Sequence, residues 1–240
     1  MFARTRARTA AYVRSSPVTY GYLAILFATS WLLAGLGDRL ADRLLLEQST
    51  NLDNLGRDPV RVLVSSAFWA PGGRDLLITA LLFTFVLAPV ERRIGSWRTV
   101  GLLAIGHVGA TLLTAAGLWV ALHFDAVEPS VRHVRDVGTS YAFFAVAAGM
   151  TYLLARTLRL PYAAALVGYL SIAAVSSDTF SDYGHLTAMA LGFAAYPVVA
   201  GASGRTFVPI LGNLPAAPWF TGSSEPAAAS RPSARERGGG

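Results

Sequence analysis

The chain has 240 residues, of which 53% are hydrophobic and 14% are charged. This composition is typical of a membrane protein and excludes an ordinary water-soluble domain. The formal net charge is +6, but the arginines stand in short clusters between apolar runs, as in membrane topology signals, and we expect no nucleic-acid binding. The absence of cysteine excludes disulfides, thiolate metal sites and a cysteine nucleophile.

The first apolar segment, residues 18–36, follows an arginine-bearing arm at residues 1–17. This segment is longer than the apolar core of a signal peptide, and no A-x-A cleavage site follows it. We therefore predict a retained membrane helix. Residues 37–74 are polar, with an amphipathic stretch around 39–47, and are predicted to form a loop at the membrane interface.

Five further apolar segments complete a predicted membrane domain of residues 18–201. They cover roughly residues 75–90, 99–122, 140–154, 161–175 and 183–201. The first and third of these five are shorter than the ~20 residues that cross a bilayer, which implies local thinning or burial inside a bundle. The sequence therefore predicts an all-α membrane protein with six transmembrane helices in contact with the lipid bilayer.

The positions of the arginines predict the orientation. They cluster in the N-terminal arm, in the turns at residues 91–98 and 156–159, and in the C-terminal segment. All of these lie on one side if six helices alternate, and that side is then cytoplasmic. We expect a bacterial plasma-membrane protein with both termini in the cytoplasm. Residues 202–240 are predicted to be a cytoplasmic tail, disordered from about residue 221 because of its composition.

Two polar residues stand at helix ends on the opposite side of the membrane. Ser140 begins the fourth predicted helix and His185 lies near the start of the sixth. Polar groups in a bilayer are costly, which makes the pair a candidate serine nucleophile and histidine base. A plain helix cap and a packing histidine explain the same residues, and both interpretations are open at this point. Close packing of the two helices is favoured by small residues, namely Ala142, Ala145, Ala148, Gly149, Ala188, Gly192 and Ala195.

Short motifs surround the pair. Gly138 and Thr139 precede Ser140, and Gly192 follows His185 by seven residues. These motifs are similar to the G-x-S and histidine motifs of the rhomboid family of intramembrane serine proteases. The resemblance implies a catalytic dyad of Ser140 and His185, with an oxyanion site near Gly138 and Thr139.

The turn after the second helix adds to this resemblance, which covers residues 18–201. Glu91, Arg93 and Gly95 follow the family's E-x-R-x-G-S pattern, and Arg61 is similar to an arginine of its first loop. The resemblance implies a rhomboid-like bundle that acts on transmembrane proteins. We expect no cofactor and no metal.

The second helix departs from the family pattern. Counting back from Glu91, the histidine and asparagine that stabilise the oxyanion in the family fall at Asp75 and Thr79. Loss of one such donor costs on the order of 3 kcal/mol in an acyl-transfer enzyme. Tyr141 and Ala188 also stand where the family has glycines.

Two functions are therefore compatible with the sequence. The first is a rhomboid-like intramembrane serine protease, and the second is an inactive relative that binds membrane-protein clients. A transporter is disfavoured because no two halves of the sequence correspond as an inverted repeat. His107 is interpreted as a packing residue of the third helix.

Overall fold

A computed structural model describes residues 2–70, 73–137, 139–177 and 179–201. Within these ranges the regular elements are helices, apart from turns and short connections. The predicted tail at 202–240 and Gly138 lie outside the described residues. The helices are α1 (Phe2–Arg14), α2 (Pro17–Leu36), α3 (Asp38–Glu47), α4 (Leu52–Arg57), α5 (Pro59–Phe68), α6 (74–94), α7 (Ser96–His123), α8 (Ser140–Leu153), α9 (Arg156–Ser176), α10 (Phe180–Ala194) and α11 (Tyr196–Ala200).

Three of the described helices are long and apolar enough to cross a membrane, namely α2, α7 and α9. Helix α8 is apolar but shorter. Helices α6 and α7 each contain a π-helical turn, at Phe83–Leu87 and Ile105–Gly109. The protein is thus an all-helical integral membrane protein. The described helices support three spans by length and composition, and the count of six stays a prediction.

Several predicted boundaries differ from the structure, and residues 37–74, which were predicted to form a loop, contain α3, α4 and α5. Helix α9 begins at Arg156, five residues before the predicted start at Pro161, so Pro161 lies inside the helix, where it has no backbone N–H to donate. The side chain of Arg159 turns back and donates hydrogen bonds to the carbonyls of Tyr152 and Leu154 at 2.9 and 3.1 Å. The last predicted segment is divided into α10 and α11 by a break at Ala195.

The turn between α6 and α7 anchors the start of α2. The carboxylate of Glu91 is buried, with 2% of the residue exposed, and accepts the backbone N–H groups of Val18 and Thr19 at 2.9 and 2.8 Å. The Ser96 hydroxyl donates to the same carboxylate at 2.7 Å. Gly95 permits the turn because its φ of 85° is unfavourable for other residues. Glu91 thereby caps α2 from a distant part of the chain.

Helix α8 lies at the centre of the bundle and is approached closely from two sides. A Cβ atom at Gly106 of α7 would lie 2.3 Å from the Ala145 side chain. A Cβ atom at Gly192 of α10 would lie 2.2 Å from the Ala145 carbonyl oxygen. Only glycine permits these contacts. The predicted packing of small residues between α8 and α10 is therefore confirmed at Gly192.

Candidate active site

Ser140 and His185 meet at the ends of two packed helices. Ser140 is the first residue of α8 and His185 lies in the second turn of α10. The Ser140 Oγ lies 3.0 Å from the His185 Nε2, within hydrogen-bonding distance. Both residues are partly buried. The structure thus brings together the two residues that the sequence paired, in the arrangement that a serine nucleophile and a histidine base require. Their catalytic role stays a prediction.

A carboxylate faces the other nitrogen of the imidazole. The Asp182 Oδ1 lies 3.3 Å from the His185 Nδ1, with side chains that are 15% and 19% exposed. The Asp182 Oδ2 accepts hydrogen bonds from the hydroxyls of Ser177 and Thr179. Asp182 lies between the predicted apolar segments 161–175 and 183–201, outside the last predicted helix. The signal that could have found it is its position three residues before His185, which places both on one face of a helix.

Two aromatic side chains enclose the imidazole. The ring of Phe144 lies 4.9 Å from that of His185, and the ring of Tyr141 lies 5.4 Å away. A Cβ atom at Gly184 would lie 2.2 Å from the Tyr141 hydroxyl, so the glycine makes room for the tyrosine. Tyr141, a departure from the family pattern, therefore forms a wall of the site.

The start of α8 offers backbone donors beside Ser140. The first N–H groups of a helix have no acceptor within the helix. Thr139 is buried, and its side chain does not cap these groups. Free N–H groups at a helix start are suited to stabilise a developing oxyanion.

The two predicted oxyanion residues of α6 are not among the hydrogen-bond partners of the dyad in the described part of the chain. Asp75 is exposed in the first turn of α6, and Thr79 is half-buried one turn later. Among the described residues, neither forms a hydrogen bond with Ser140 or His185. The side chains of α6 therefore give no direct polar contact to the pair in this structure.

Asp136 joins three segments around the site. Its carboxylate accepts hydrogen bonds from the hydroxyls of Thr50 at 3.1 Å, Tyr141 at 3.3 Å and Ser181 at 3.4 Å. Burial raises the pKa of the Asp136 carboxyl, while these hydroxyls act to lower it. Asp136 thereby links the connection after α3 to the residue that follows Ser140 and to the start of α10. Sequence reasoning did not identify this residue.

The remaining predicted motif residues lie in structural contacts. Arg61 is exposed, forms an ion pair with Asp58 at 3.1 Å and donates to the Glu47 carbonyl at 3.3 Å. Arg93 is half-buried on the turn that carries Glu91. The contacts of Arg61 lie within the segment between α2 and α6.

The structure places His107 in a packing position between α5 and α7. Its Nε2 lies 3.1 Å from the Ser66 Oγ and 3.0 Å from the Leu63 carbonyl oxygen. His107 is 6% exposed. These contacts agree with the structural role that the sequence favoured.

Comparison with known families identifies a relationship for this chain. The sequence model of a family described as "Rhomboid-like protein" matches residues 11–205. No curated protein and no solved structure matches the chain. The match covers most of the chain, including every residue of the candidate site.

Proposed function

The chain belongs to the rhomboid-like protein family, and from this membership we propose that it is an intramembrane serine protease that cleaves transmembrane proteins. One observation carries the proposal. The Ser140 Oγ lies 3.0 Å from the His185 Nε2 although the residues are 45 positions apart. A hydroxyl and an imidazole in this contact can exchange the proton that acyl transfer requires.

The reaction divides into two acyl transfers. Ser140 Oγ attacks the peptide carbonyl carbon, and His185 Nε2 takes the hydroxyl proton as the new C–O bond forms. The oxyanion is stabilised by backbone N–H groups at the start of α8. The C–N bond then breaks as His185 gives the proton to the leaving amine. A water molecule, deprotonated by His185, hydrolyses the acyl-enzyme and regenerates Ser140.

The location of the reaction follows from the proposed topology. With six alternating helices and both termini in the cytoplasm, the dyad lies towards the non-cytoplasmic side of the membrane. Substrates are then transmembrane helices that present a peptide bond near that side. The hydroxyl-rich segment with Ser177, Thr179 and Ser181 is polar enough to admit the water that hydrolysis requires.

A serine-directed fluorophosphonate probe tests the proposal. We expect it to label the full-length detergent-solubilised protein, and Ser140→Ala and His185→Ala should each abolish labelling. Ser171→Ala on α9 is the matched control and should label like the wild type. Equal labelling of the wild type and both site variants would refute the protease function, as would absence of labelling under conditions that label an active serine hydrolase.

A second candidate function is favoured by α6. Asp75 and Thr79 supply neither the imidazole nor the amide donor found in the family, and Asp75 is exposed. A rhomboid-like protein without these donors can bind membrane-protein clients without cleaving them. In that case the probe does not label Ser140, whereas photo-crosslinking in membranes captures transmembrane clients equally in the wild type and Ser140→Ala.

A further inference from the structure

The geometry of α10 points to a third member of the candidate active site. We propose that Asp182 positions His185 and stabilises its charged form, so that the chain works with a Ser140–His185–Asp182 triad rather than a dyad. The Asp182 Oδ1 lies 3.3 Å from the His185 Nδ1, on the side of the ring opposite Ser140. This inference rests on the proposed protease function.

The hydrogen bond to Ser140 constrains the imidazole. To accept the hydroxyl proton, the Nε2 of neutral His185 must carry the lone pair, so its single proton must lie on Nδ1. An N–H at Nδ1 needs an acceptor because its side chain is only 19% exposed. The Asp182 Oδ1 is that acceptor. It favours the tautomer in which His185 can act as a base, and it opposes rotation of the ring.

The carboxylate also acts when the proton moves. Once His185 accepts the Ser140 proton, both ring nitrogens carry hydrogen and the ring is positively charged. The Asp182 carboxylate faces that charge in a site with limited access to water, where an ion pair is stronger than in solution. Asp182 therefore stabilises the state that accompanies the oxyanion. It acts through His185 and is a positioning residue.

A structural role alone does not account for this arrangement. Asp182 lies in the first turn of α10, where an acidic residue also stabilises the helix end. The two oxygens of its carboxylate have separate partners, however. Oδ2 accepts from the hydroxyls of Ser177 and Thr179, and these contacts aim Oδ1 at His185. The two hydroxyls that precede α10 therefore contact one oxygen, and the imidazole contacts the other.

Substitution of Asp182 separates the two roles. In the full-length protein, Asp182→Asn keeps the size and the hydroxyl contacts but offers an amide N–H to His185, which favours the wrong tautomer. We expect the maximal rate of fluorophosphonate labelling to fall at least about 10²-fold, towards the ~10⁴-fold loss seen when a triad aspartate is replaced. The probe concentration for half-maximal rate and the unfolding temperature should stay unchanged. Asp182→Glu should recover part of the rate.

Asp125→Asn is the matched control, because it makes the same chemical change at an exposed aspartate outside the candidate site. It should label at the wild-type rate. The inference is overturned if Asp182→Asn labels like the wild type. It is also overturned if Asp182→Asn and Asp182→Glu both lose labelling and neither shows a cooperative unfolding transition. The loss of labelling would then come from loss of the fold.

A measurement of the tautomer keeps this inference separate from the protease function. Nitrogen NMR of ¹⁵N-histidine protein in mildly alkaline buffer reports which ring nitrogen of His185 carries the proton, with His185→Ala giving the assignment. We expect the proton on Nδ1 in the wild type and a shift towards Nε2 in Asp182→Asn. If the probe never labels the wild type, the proposed protease function fails. The NMR observation of a proton on Nδ1 would still support the positioning of His185 by Asp182. A proton on Nε2 in the wild type overturns the inference whether or not the protein is active.

Discussion

Glu91 accepts two hydrogen bonds from Thr19, one from its backbone N–H and one from its hydroxyl, both at 2.8 Å. The contact joins the beginning of α2 to the end of α6, 72 positions away in the sequence. Hydrogen bonds to a buried charged group are stronger than neutral ones, and loss of the acceptor leaves buried donors without partners. The pair is therefore a major link between the first and second apolar helices.

We expect Glu91→Ala to lower the free energy of unfolding by about 3 kcal/mol. Glu91→Gln should cost less, because its amide oxygen can still accept from one of the donors. Thermal unfolding of the detergent-solubilised protein, followed by tryptophan fluorescence, measures both. The control is Glu128→Ala in an exposed connection. A loss no larger than that of the control would contradict the capping role.

The close approach at Ala145 predicts which glycine substitutions can be rescued. Gly106→Ala places a methyl group 2.3 Å from the Ala145 side chain and 3.0 Å from the Tyr141 carbonyl oxygen. Ala145→Gly removes the closer contact and should restore part of the stability that is lost. Gly192→Ala meets the Ala145 backbone, so the same second change should restore little. Each single substitution is expected to cost about 1–3 kcal/mol.

Gly168→Ala on α9 is the control for these variants, because a Cβ there has nothing within 4 Å. It should be neutral in thermal unfolding. Gly192→Ala should also reduce fluorophosphonate labelling of Ser140, since it separates α8 from α10. Equal rescue of both variants by Ala145→Gly would show that the helices contact each other differently.

The buried carboxyl of Asp136 predicts a pH dependence of stability. Its pKa is raised in the folded protein above the ordinary value of 3.8. Protonation of Asp136 therefore stabilises the fold. This contribution is fully present below about pH 3.8, the ordinary pKa, and is lost as the pH rises through the pKa of the folded protein. At neutral pH, burial of the charged Asp136 carboxylate lowers the free energy of unfolding. The neutral amide of Asp136→Asn does not have this cost.

The unfolding temperature of Asp136→Asn minus that of the wild type should accordingly be more positive at neutral pH than in acid buffer. Asp125→Asn at an exposed position is the control and should show a smaller change. A difference that stays constant with pH, or that grows towards acid, would exclude a raised pKa at Asp136.

The exposed position of Asp75 predicts that its charge has little influence on the dyad. Asp75→Asn should change the rate of fluorophosphonate labelling by less than about twofold, because no hydrogen bond connects its carboxylate to Ser140. An increase of about 10² or more, the size of one oxyanion contact, would instead show that Asp75 lies at the oxyanion in the reacting protein.

The pairing of Ser140 with His185 could be predicted because it depends on features that the sequence carries directly. Alternation of the six predicted segments predicts both residues at one side, and glycines such as Gly192 allow close packing. Asp182 was missed because the last helix was expected to begin at residue 183. The helix begins at Phe180, and those additional residues turn Asp182 from a loop residue into a neighbour of His185 on the same helix face.

Other contacts depend on tertiary structure that no local pattern encodes. The motif identified Glu91 as a residue of the turn, but not the N–H groups of α2 as its partners, since these lie 72 and 73 positions away. Tyr141 was identified only as a departure from the family pattern, which has a glycine at this position. Its ring fills the space that Gly184 leaves, and this is visible only when both helices are in place.

The glycine contacts on either side of Ala145 also limit how the sequence can evolve. A methyl group at position 106 becomes easier to accommodate if the methyl group at position 145 is lost first, so that path needs two ordered steps. Position 192 has no such path, because its obstacle is main chain that every residue shares. The helix that carries Ser140 is therefore bordered by one glycine whose replacement a second substitution can partly compensate, and by one whose replacement no side-chain change at position 145 can compensate.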